Sequence, residues 1–171
     1  MSASGDAAGA TVFVAVSVED AFAVFTEEID LWWRHGRKYR IGGRHPGRLV
    51  LTGGPDGRLF ESVELPSGPR TFEVGRVTRW EPPHRFEMEW RGVNFAEHET
   101  TFVEVAFVPS GRGALVTVRH RGWSAIRDDH PARHGLTGSA FCRDLGLWWG
   151  GLLRALGEHV ATRGAGAGSA P

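Results

Sequence analysis

Two residues capable of acid–base chemistry fall on strand positions that are expected to be apolar. Glu61 lies two residues from both Leu59 and Val63 in the stretch LFESVEL, and His120 lies two residues after Val118 in LVTVRH. Residues two apart in a strand share one face. A polar group on a buried face is costly without a partner, so the pattern predicts either satisfied buried hydrogen bonds or polar anchors in a cavity. In an enzyme, His120 would act as general base, with Glu61 orienting it or acting as acid.

The triplet Leu-Trp-Trp occurs twice, at residues 31–33 and 147–149, so four of the seven tryptophans lie in two pairs. Neighbours on a helix point about 100° apart, so we expect one ring of each pair to seal the core and the other to border a binding space. The second pair lies among four glycines: Gly146, Gly150, Gly151 and Gly157. Each costs a helix about 1 kcal/mol relative to alanine, which predicts either close packing of this helix or open space beside it.

Other reactive side chains do not form a recognisable site. His130 and His134 are four residues apart, next to acidic residues 128–129, but Pro131 intrudes and no further ligand is evident, so this stretch is interpreted as an exposed loop that leads into the last helix. Cys142 has no obvious base and is interpreted as a packed small side chain. No nucleophile motif or phosphate-binding loop is present. We therefore predict no metal and no cofactor.

Composition restricts the class of protein. The 171 residues are 41% hydrophobic and 23% charged with a formal net charge of zero, which argues against nucleic acid or an anionic membrane as a partner. A single cysteine fits a reducing cytoplasm, and no stretch resembles a secretory signal or a membrane span. We predict a cytoplasmic protein with one domain over residues 11–162, between a disordered N-terminus (1–10) and a disordered Gly/Ala-rich tail (163–171).

Hydrophobic periodicity predicts the order of the elements. Residues 11–16 alternate as a strand, and Ser17 then caps a helical stretch that reaches Trp33 with a break near Thr26. Six segments with strand character follow: 48–52, 58–65, 71–80, 85–92, 101–108 and 114–120. Apolar residues from Phe141 to Val160 then recur at three- and four-residue steps, as in an amphipathic helix. The order predicts an α+β protein with an antiparallel sheet and one long C-terminal helix.

Several stretches resemble a known family. The segments AFAVFTEEIDLWW, GRLFE, GRVTRWEPPHRFEMEW and VRHRGW occur in the order seen in the activator-of-heat-shock-protein-ATPase-like group of the START-like, or polyketide-cyclase-like (SRPBCC), superfamily. The resemblance covers about residues 11–160 and implies the helix-grip fold, in which a curved seven-stranded antiparallel sheet and two short helices wrap around a long C-terminal helix over a cavity. The positions matching the family motifs are Trp32, Trp33, Glu61, Trp80, Trp90, His120 and Trp123.

The resemblance also implies a range of functions. Members of the superfamily bind lipids, hormones, polyketides and other apolar molecules, some are cyclases or aromatases, and actinobacterial relatives protect their hosts from enediyne antibiotics. The activator role belongs to eukaryotic members that carry an additional N-terminal domain.

Taken together, we predict a protein, monomeric or weakly homodimeric, that binds a small apolar, aromatic molecule for sequestration, transport or antibiotic self-resistance. Residues expected to contact the ligand are Trp33, Glu61, Trp90, His120, Trp123, Trp148 and Trp149. Aromatic walls would supply affinity, and Glu61 and His120 would orient the ligand. The alternatives are a cyclase or hydrolase that uses Glu61 and His120, and a chaperone-related interaction module.

Overall fold

A computed structural model describes residues 5–167 as one antiparallel sheet and a long helix. The strands are β1 (Ala8–Val14), β2 (Gly47–Leu51), β3 (Arg58–Leu65), β4 (Gly68–Glu81), β5 (Arg85–Trp90), β6 (Thr101–Ser110) and β7 (Gly113–Arg121). The helices are α1 (Val18–Glu27), α2 (Ile29–Trp32) and α3 (Gly138–Ala167), with single 3-10 turns at Trp123–Ala125 and Pro131–Arg133. None of these helices is long and apolar enough to cross a membrane.

The sheet has the order β1-β7-β6-β5-β4-β3-β2, and every neighbouring pair is antiparallel. Side chains alternate between a buried inner face and a polar outer face, as in β6, where Val103, Val105 and Phe107 are buried. The inner face curls around α3. The predicted α+β helix-grip architecture is therefore confirmed.

The short helices close one end of the sheet. Ser17 caps α1 as predicted, because its hydroxyl accepts a hydrogen bond of 3.1 Å from the Asp20 amide. The Phe25 ring packs 5.6 Å from Phe86, which anchors α1 to the sheet. The helical stretch breaks between Glu27 and Ile29, next to the predicted position.

The glycines of α3 serve more than one purpose. A Cβ added at Gly146 would lie 3.5 Å from the Gly9 carbonyl oxygen, and one at Gly157 would lie 3.3 Å from Val12, so these two let α3 approach the edge strand β1. Gly151 admits the hydroxyl of Tyr39, which would lie 3.0 Å from an added Cβ. A Cβ at Gly150 would meet no atom within 4 Å. Both alternatives considered for the glycines, close packing and open space, therefore occur on one helix.

Regular structure extends beyond the predicted limits of 11–162. Strand β1 begins at Ala8, because Ala8 pairs with His120 on β7, and the Asp6 carboxylate accepts a hydrogen bond from the Ser124 amide at 3.2 Å. At the other end α3 continues to Ala167, and Arg163 forms an ion pair of 3.3 Å with Glu28. Strand β1 and helix α3 thus extend beyond residues 11 and 162, and the division into one domain with two disordered ends stays a prediction. The rest of the predicted disordered ends, residues 1–4 and 168–171, lies outside the described residues.

Candidate functional site

Seven aromatic side chains from distant parts of the chain meet where α3 faces the sheet. They are Trp33, Tyr39, Trp90, His120, Trp123, Trp148 and Trp149, called the aromatic cluster below. Trp149 lies at the centre, with its ring centroid 5.8 Å from that of Trp33, 5.7 Å from that of Trp90 and 5.0 Å from that of Trp148. The structure thus brings together all the predicted site residues except Glu61, and it adds Tyr39.

His120 is the polar centre of the aromatic cluster. The Trp149 indole N–H donates to His120 Nδ1 at 3.2 Å, and Thr101 Oγ1 lies 2.8 Å from His120 Nε2. The Thr101 hydroxyl donates to the Trp90 carbonyl at 2.9 Å, so its oxygen is free to accept the Nε2 proton. A neutral imidazole protonated on Nε2 satisfies the whole chain of contacts. His120, on β7, is thus hydrogen-bonded to α3 through Trp149 and to β6 through Thr101, and Thr101 in turn bonds to β5 through the Trp90 carbonyl.

The environment of His120 keeps it uncharged. Its side chain is 1% exposed, and this burial lowers its pKa to about 3. Both ring nitrogens are already hydrogen-bonded, so neither is free to accept a proton from a substrate. Four inter-strand steps separate β7 from β3, which carries Glu61, or about 19 Å measured along the curved sheet. The two polar residues singled out in the sequence therefore have separate environments.

Glu61 fastens a loop. Its carboxylate is 3% exposed and accepts hydrogen bonds from the backbone amides of Ile41 at 2.7 Å and Gly42 at 3.1 Å. Both amides belong to residues 34–46, which connect α2 to β2 and are called the closing loop below. An added Cβ at Gly42 would lie 2.8 Å from Val63, so the loop lies directly on β3.

A second anchor of the closing loop is the buried Arg40. Its guanidinium forms an ion pair of 2.8 Å with Asp30 and donates to the Trp33 carbonyl at 2.9 Å. Partial burial of Asp30 opposes its ionisation, but the Leu49 amide and Arg40 hold the pKa of its carboxyl below the usual value. Asp30, Tyr39 and Arg40 were not among the site residues predicted from the sequence. The one feature that could have pointed to this segment is that Tyr39, the sole tyrosine, lies among basic residues.

The closing loop also covers one end of the aromatic cluster. The Tyr39 ring stacks on Trp148 at 5.7 Å with an interplanar angle of 26°. The Trp148 indole donates to the Lys38 carbonyl at 2.8 Å, and the Trp33 indole donates to the Tyr39 carbonyl at 3.0 Å. The polar edges of two tryptophans are therefore occupied by loop backbone.

Trp123 joins the aromatic cluster to a second, smaller core. Its ring lies 5.1 Å from His120 and 4.7 Å from Phe141. The buried Arg133 donates to the Trp123 carbonyl at 2.6 Å, and His130 accepts from the Ala132 amide through Nδ1 at 3.0 Å. His130 therefore begins a 3-10 turn within a loop, as expected, but its side chain is buried and not exposed, because it packs against Phe95.

The aromatic rings occupy the space in which a cavity was expected. Two depressions in the part of the chain that the structure describes have volumes of about 290 and 270 Å³. Both lie on the outer face of β4 and β5, beside Arg76 and Glu89, and neither touches the aromatic cluster. An internal ligand cavity therefore stays a prediction, and filling it would require the closing loop and nearby rings to move.

Replacing Glu61 with glutamine should loosen the closing loop. A glutamine has one oxygen in place of two and presents an NH₂ group to a backbone N–H, so the variant should lose about 1.5–3 kcal/mol of loop attachment. Hydrogen exchange of the Ile41 and Gly42 amides is then expected to accelerate at least about tenfold. Glu64→Gln is the matched control, because Glu64 lies on the same strand and is exposed. Equal exchange rates in the two variants would contradict the assigned role of Glu61.

Comparisons with known proteins agree with this fold. Residues 6–140 match the family model described as Activator of Hsp90 ATPase homolog 1-like protein. No curated protein matches the chain. A solved structure from Nitrosomonas europaea is 15% identical over 94% of this chain and 97% of its own, with a TM-score of 0.60.

Two further solved structures carry functional names. An HSP90 activator from Plasmodium falciparum is 18% identical over 84% of this chain and 88% of its own, with a TM-score of 0.53. An anthrahydroquino-gamma-pyrone synthase is 30% identical over 68% of this chain and 76% of its own, and its TM-score of 0.47 is too low for residue roles to be transferred.

Proposed function

We propose that this chain, which belongs to the Activator of Hsp90 ATPase homolog 1-like family, binds a small apolar, aromatic molecule within its aromatic cluster. The observation that carries the proposal is a continuous series of ring contacts. It leads from the half-buried Tyr39 and Trp148 inward to Trp149, Trp90 and His120. Flat aromatic rings bind one another through buried area and through offset or edge-to-face contacts. A ligand ring can therefore make the same kinds of contact with this cluster as a protein ring does.

The closing loop is the element that would admit the ligand. Gly36 and Gly43, near its two ends, adopt positive φ angles of 96° and 59°, which suit glycine hinges. When the loop lifts, Tyr39 leaves the face of Trp148, and a space the size of an aromatic ring opens beside Gly151. The indole N–H groups of Trp33 and Trp148 lose their loop carbonyls and become available to hydrogen-bond a ligand.

Opening has a cost set by the contacts that it breaks. The loop is fastened to the sheet by two hydrogen bonds to Glu61, to α2 by the Arg40–Asp30 ion pair, and to the aromatic cluster by the hydrogen bonds of the Trp33 and Trp148 indoles to loop carbonyls. Contacts of this kind are each worth about 1–3 kcal/mol, so the open state is populated only as a small minority without ligand. In this proposal Glu61 controls access and does not orient the ligand.

The catalytic alternative has less support from the geometry. His120 is neutral, buried and bonded at both nitrogens, and Glu61 is engaged by the closing loop. A general acid–base pair needs both groups within reach of one reacting atom.

Binding can be tested with N-phenyl-1-naphthylamine, a neutral aromatic probe. We expect it to quench tryptophan fluorescence saturably, and we expect Trp149→Phe to weaken its affinity about 3- to 10-fold, since an aromatic contact contributes about 0.5–1.5 kcal/mol. Trp80→Phe is the matched control, because Trp80 packs 5.1 Å from Phe22 outside the aromatic cluster. The proposal fails if the probe does not bind, or if the two variants weaken it equally. If the probe binds as expected, native mass spectrometry of protein purified from its own host would show whether a natural ligand co-purifies.

A further inference from the structure

Positive charge is concentrated at the closing loop. From Leu31 to Pro55 the chain has six arginines and lysines and no acidic residue, whereas the whole chain balances 20 basic against 20 acidic residues. The remainder therefore carries 14 basic and 20 acidic residues. The segment at which the aromatic cluster would open is thus rich in positive charge, in a protein of zero formal net charge.

These cations lack acidic partners, with one exception. Arg40 is buried and paired with Asp30. Arg37, Lys38 and Arg44 are exposed, and none of them takes part in an ion pair within residues 5–167. Nothing within the described fold explains why these charges are gathered on one loop.

The loop cations adjoin the entrance to the aromatic cluster. The Arg34 guanidinium lies 6.0 Å and the Lys38 ammonium 5.5 Å from the centre of the Tyr39 ring, which itself stacks on Trp148. Arg34 also donates to the Gly151 carbonyl on α3 at 3.0 Å. A molecule with its ring against Trp148 would thus place a substituent among Arg34, Lys38 and their neighbours.

We infer that the ligand of the aromatic cluster is an aromatic acid: its ring lies among the tryptophans, and its carboxylate, sulfonate or phosphate group binds the closing-loop cations. This inference rests on the proposed binding function and specifies its ligand class. Arginine and lysine form charge-assisted hydrogen bonds with such anions. A cluster of one sign of charge at an entrance also concentrates oppositely charged ligands. A long polyanion fits less well, because the rest of the chain carries six more acidic than basic residues.

A matched pair of probes tests the inference. N-phenyl-1-naphthylamine and its 8-sulfonate share one aromatic body and differ by one negative charge. At low ionic strength we expect the sulfonate to bind about tenfold or more tightly, because attraction to a single-signed patch commonly enhances association by that factor. Added salt should reduce the difference, since about 0.15 M salt screens exposed charges beyond roughly 8 Å.

Charge-removing variants locate the effect. In Arg37→Gln/Lys38→Gln, which removes the Lys38 ammonium beside the Tyr39 ring and the exposed arginine next to it, the preference for the sulfonate over the neutral probe should fall several-fold. Arg70→Gln/Arg112→Gln removes two exposed arginines elsewhere, one on β4 and one in the turn between β6 and β7, and should keep the preference. Thermal melting and near-UV circular dichroism confirm that all the variants are folded.

The outcomes separate the two proposals. If neither probe binds, the proposed function fails. If both bind equally at low salt, or if the preference survives in Arg37→Gln/Lys38→Gln, the aromatic-acid inference is overturned and the binding function stands.

Discussion

Replacing Trp149 with alanine is expected to lower the free energy of unfolding by about 3–5 kcal/mol, the usual cost of removing a large buried aromatic side chain. Trp149 is 1% exposed, contacts four rings of the aromatic cluster and donates the hydrogen bond that satisfies His120 Nδ1. The variant therefore creates a cavity and also leaves a buried imidazole nitrogen without its donor. Urea denaturation measures the change.

Leu147→Ala provides the control for this prediction. Leu147 belongs to the same triplet on the same helix but is 71% exposed, so its replacement should change stability by no more than about 0.5 kcal/mol. A similar loss in the two variants would contradict the central role of Trp149 in the aromatic cluster.

Stability is expected to fall steeply between pH 6.5 and pH 5 because of His120. The pKa of its imidazole is about 3 in the folded protein and near the ordinary 6.5 when unfolded. Below pH 6.5 the unfolded chain therefore binds a proton that the folded chain refuses. The contribution of neutral His120 is fully present above pH 6.5 and is lost as the pH falls toward 3, at about 1.4 kcal/mol per pH unit.

The comparison with His120→Gln isolates this effect, because glutamine can accept the Trp149 hydrogen bond but does not titrate. Unfolding free energies at pH 6.5 and 5 should differ by about 2 kcal/mol more in the wild type than in the variant. Carboxyl groups with lowered pKa values also lose stabilisation on acidification, but only near and below their unfolded values of 3.8–4.5. Parallel pH profiles in the two proteins would contradict the assignment of a neutral, buried His120.

The aromatic cluster was largely predictable from the sequence, because aromatic residues that fall on the apolar face of a strand or helix are expected to point into the core. Trp90 and His120 follow strand alternation, and Trp149 follows the period of α3, so each position specifies an inward direction. The interpretation of the two Leu-Trp-Trp triplets was only partly correct. Trp149 seals the core as expected, and Trp148 borders the closing loop, while a binding space beside it stays a prediction. Trp32 and Trp33, however, are both buried, at 3% and 4% exposure.

The partners of the polar residues were not predictable. Periodicity predicted that Glu61 and His120 lie on the inner face. It could not predict how far apart they are, because alternation specifies a face and carries no information on the distance between strands. Strand order sets that distance. It gives Glu61 the backbone amides of a loop that precedes it by about 20 residues, and it gives His120 an indole on α3.

What the sequence determined by itself was local and periodic: the strands, the Ser17 cap, the long helix and the inward set of aromatic side chains. These depend on interactions between residues a few positions apart. The tertiary structure alone decided that Glu61 and Arg40 fasten the closing loop, that Tyr39 meets Trp148, and that aromatic rings from distant segments pack together beside α3. The physical reason is that a buried polar or aromatic group takes whichever partner the topology brings within hydrogen-bonding or van der Waals distance, and distance along the chain does not encode that choice.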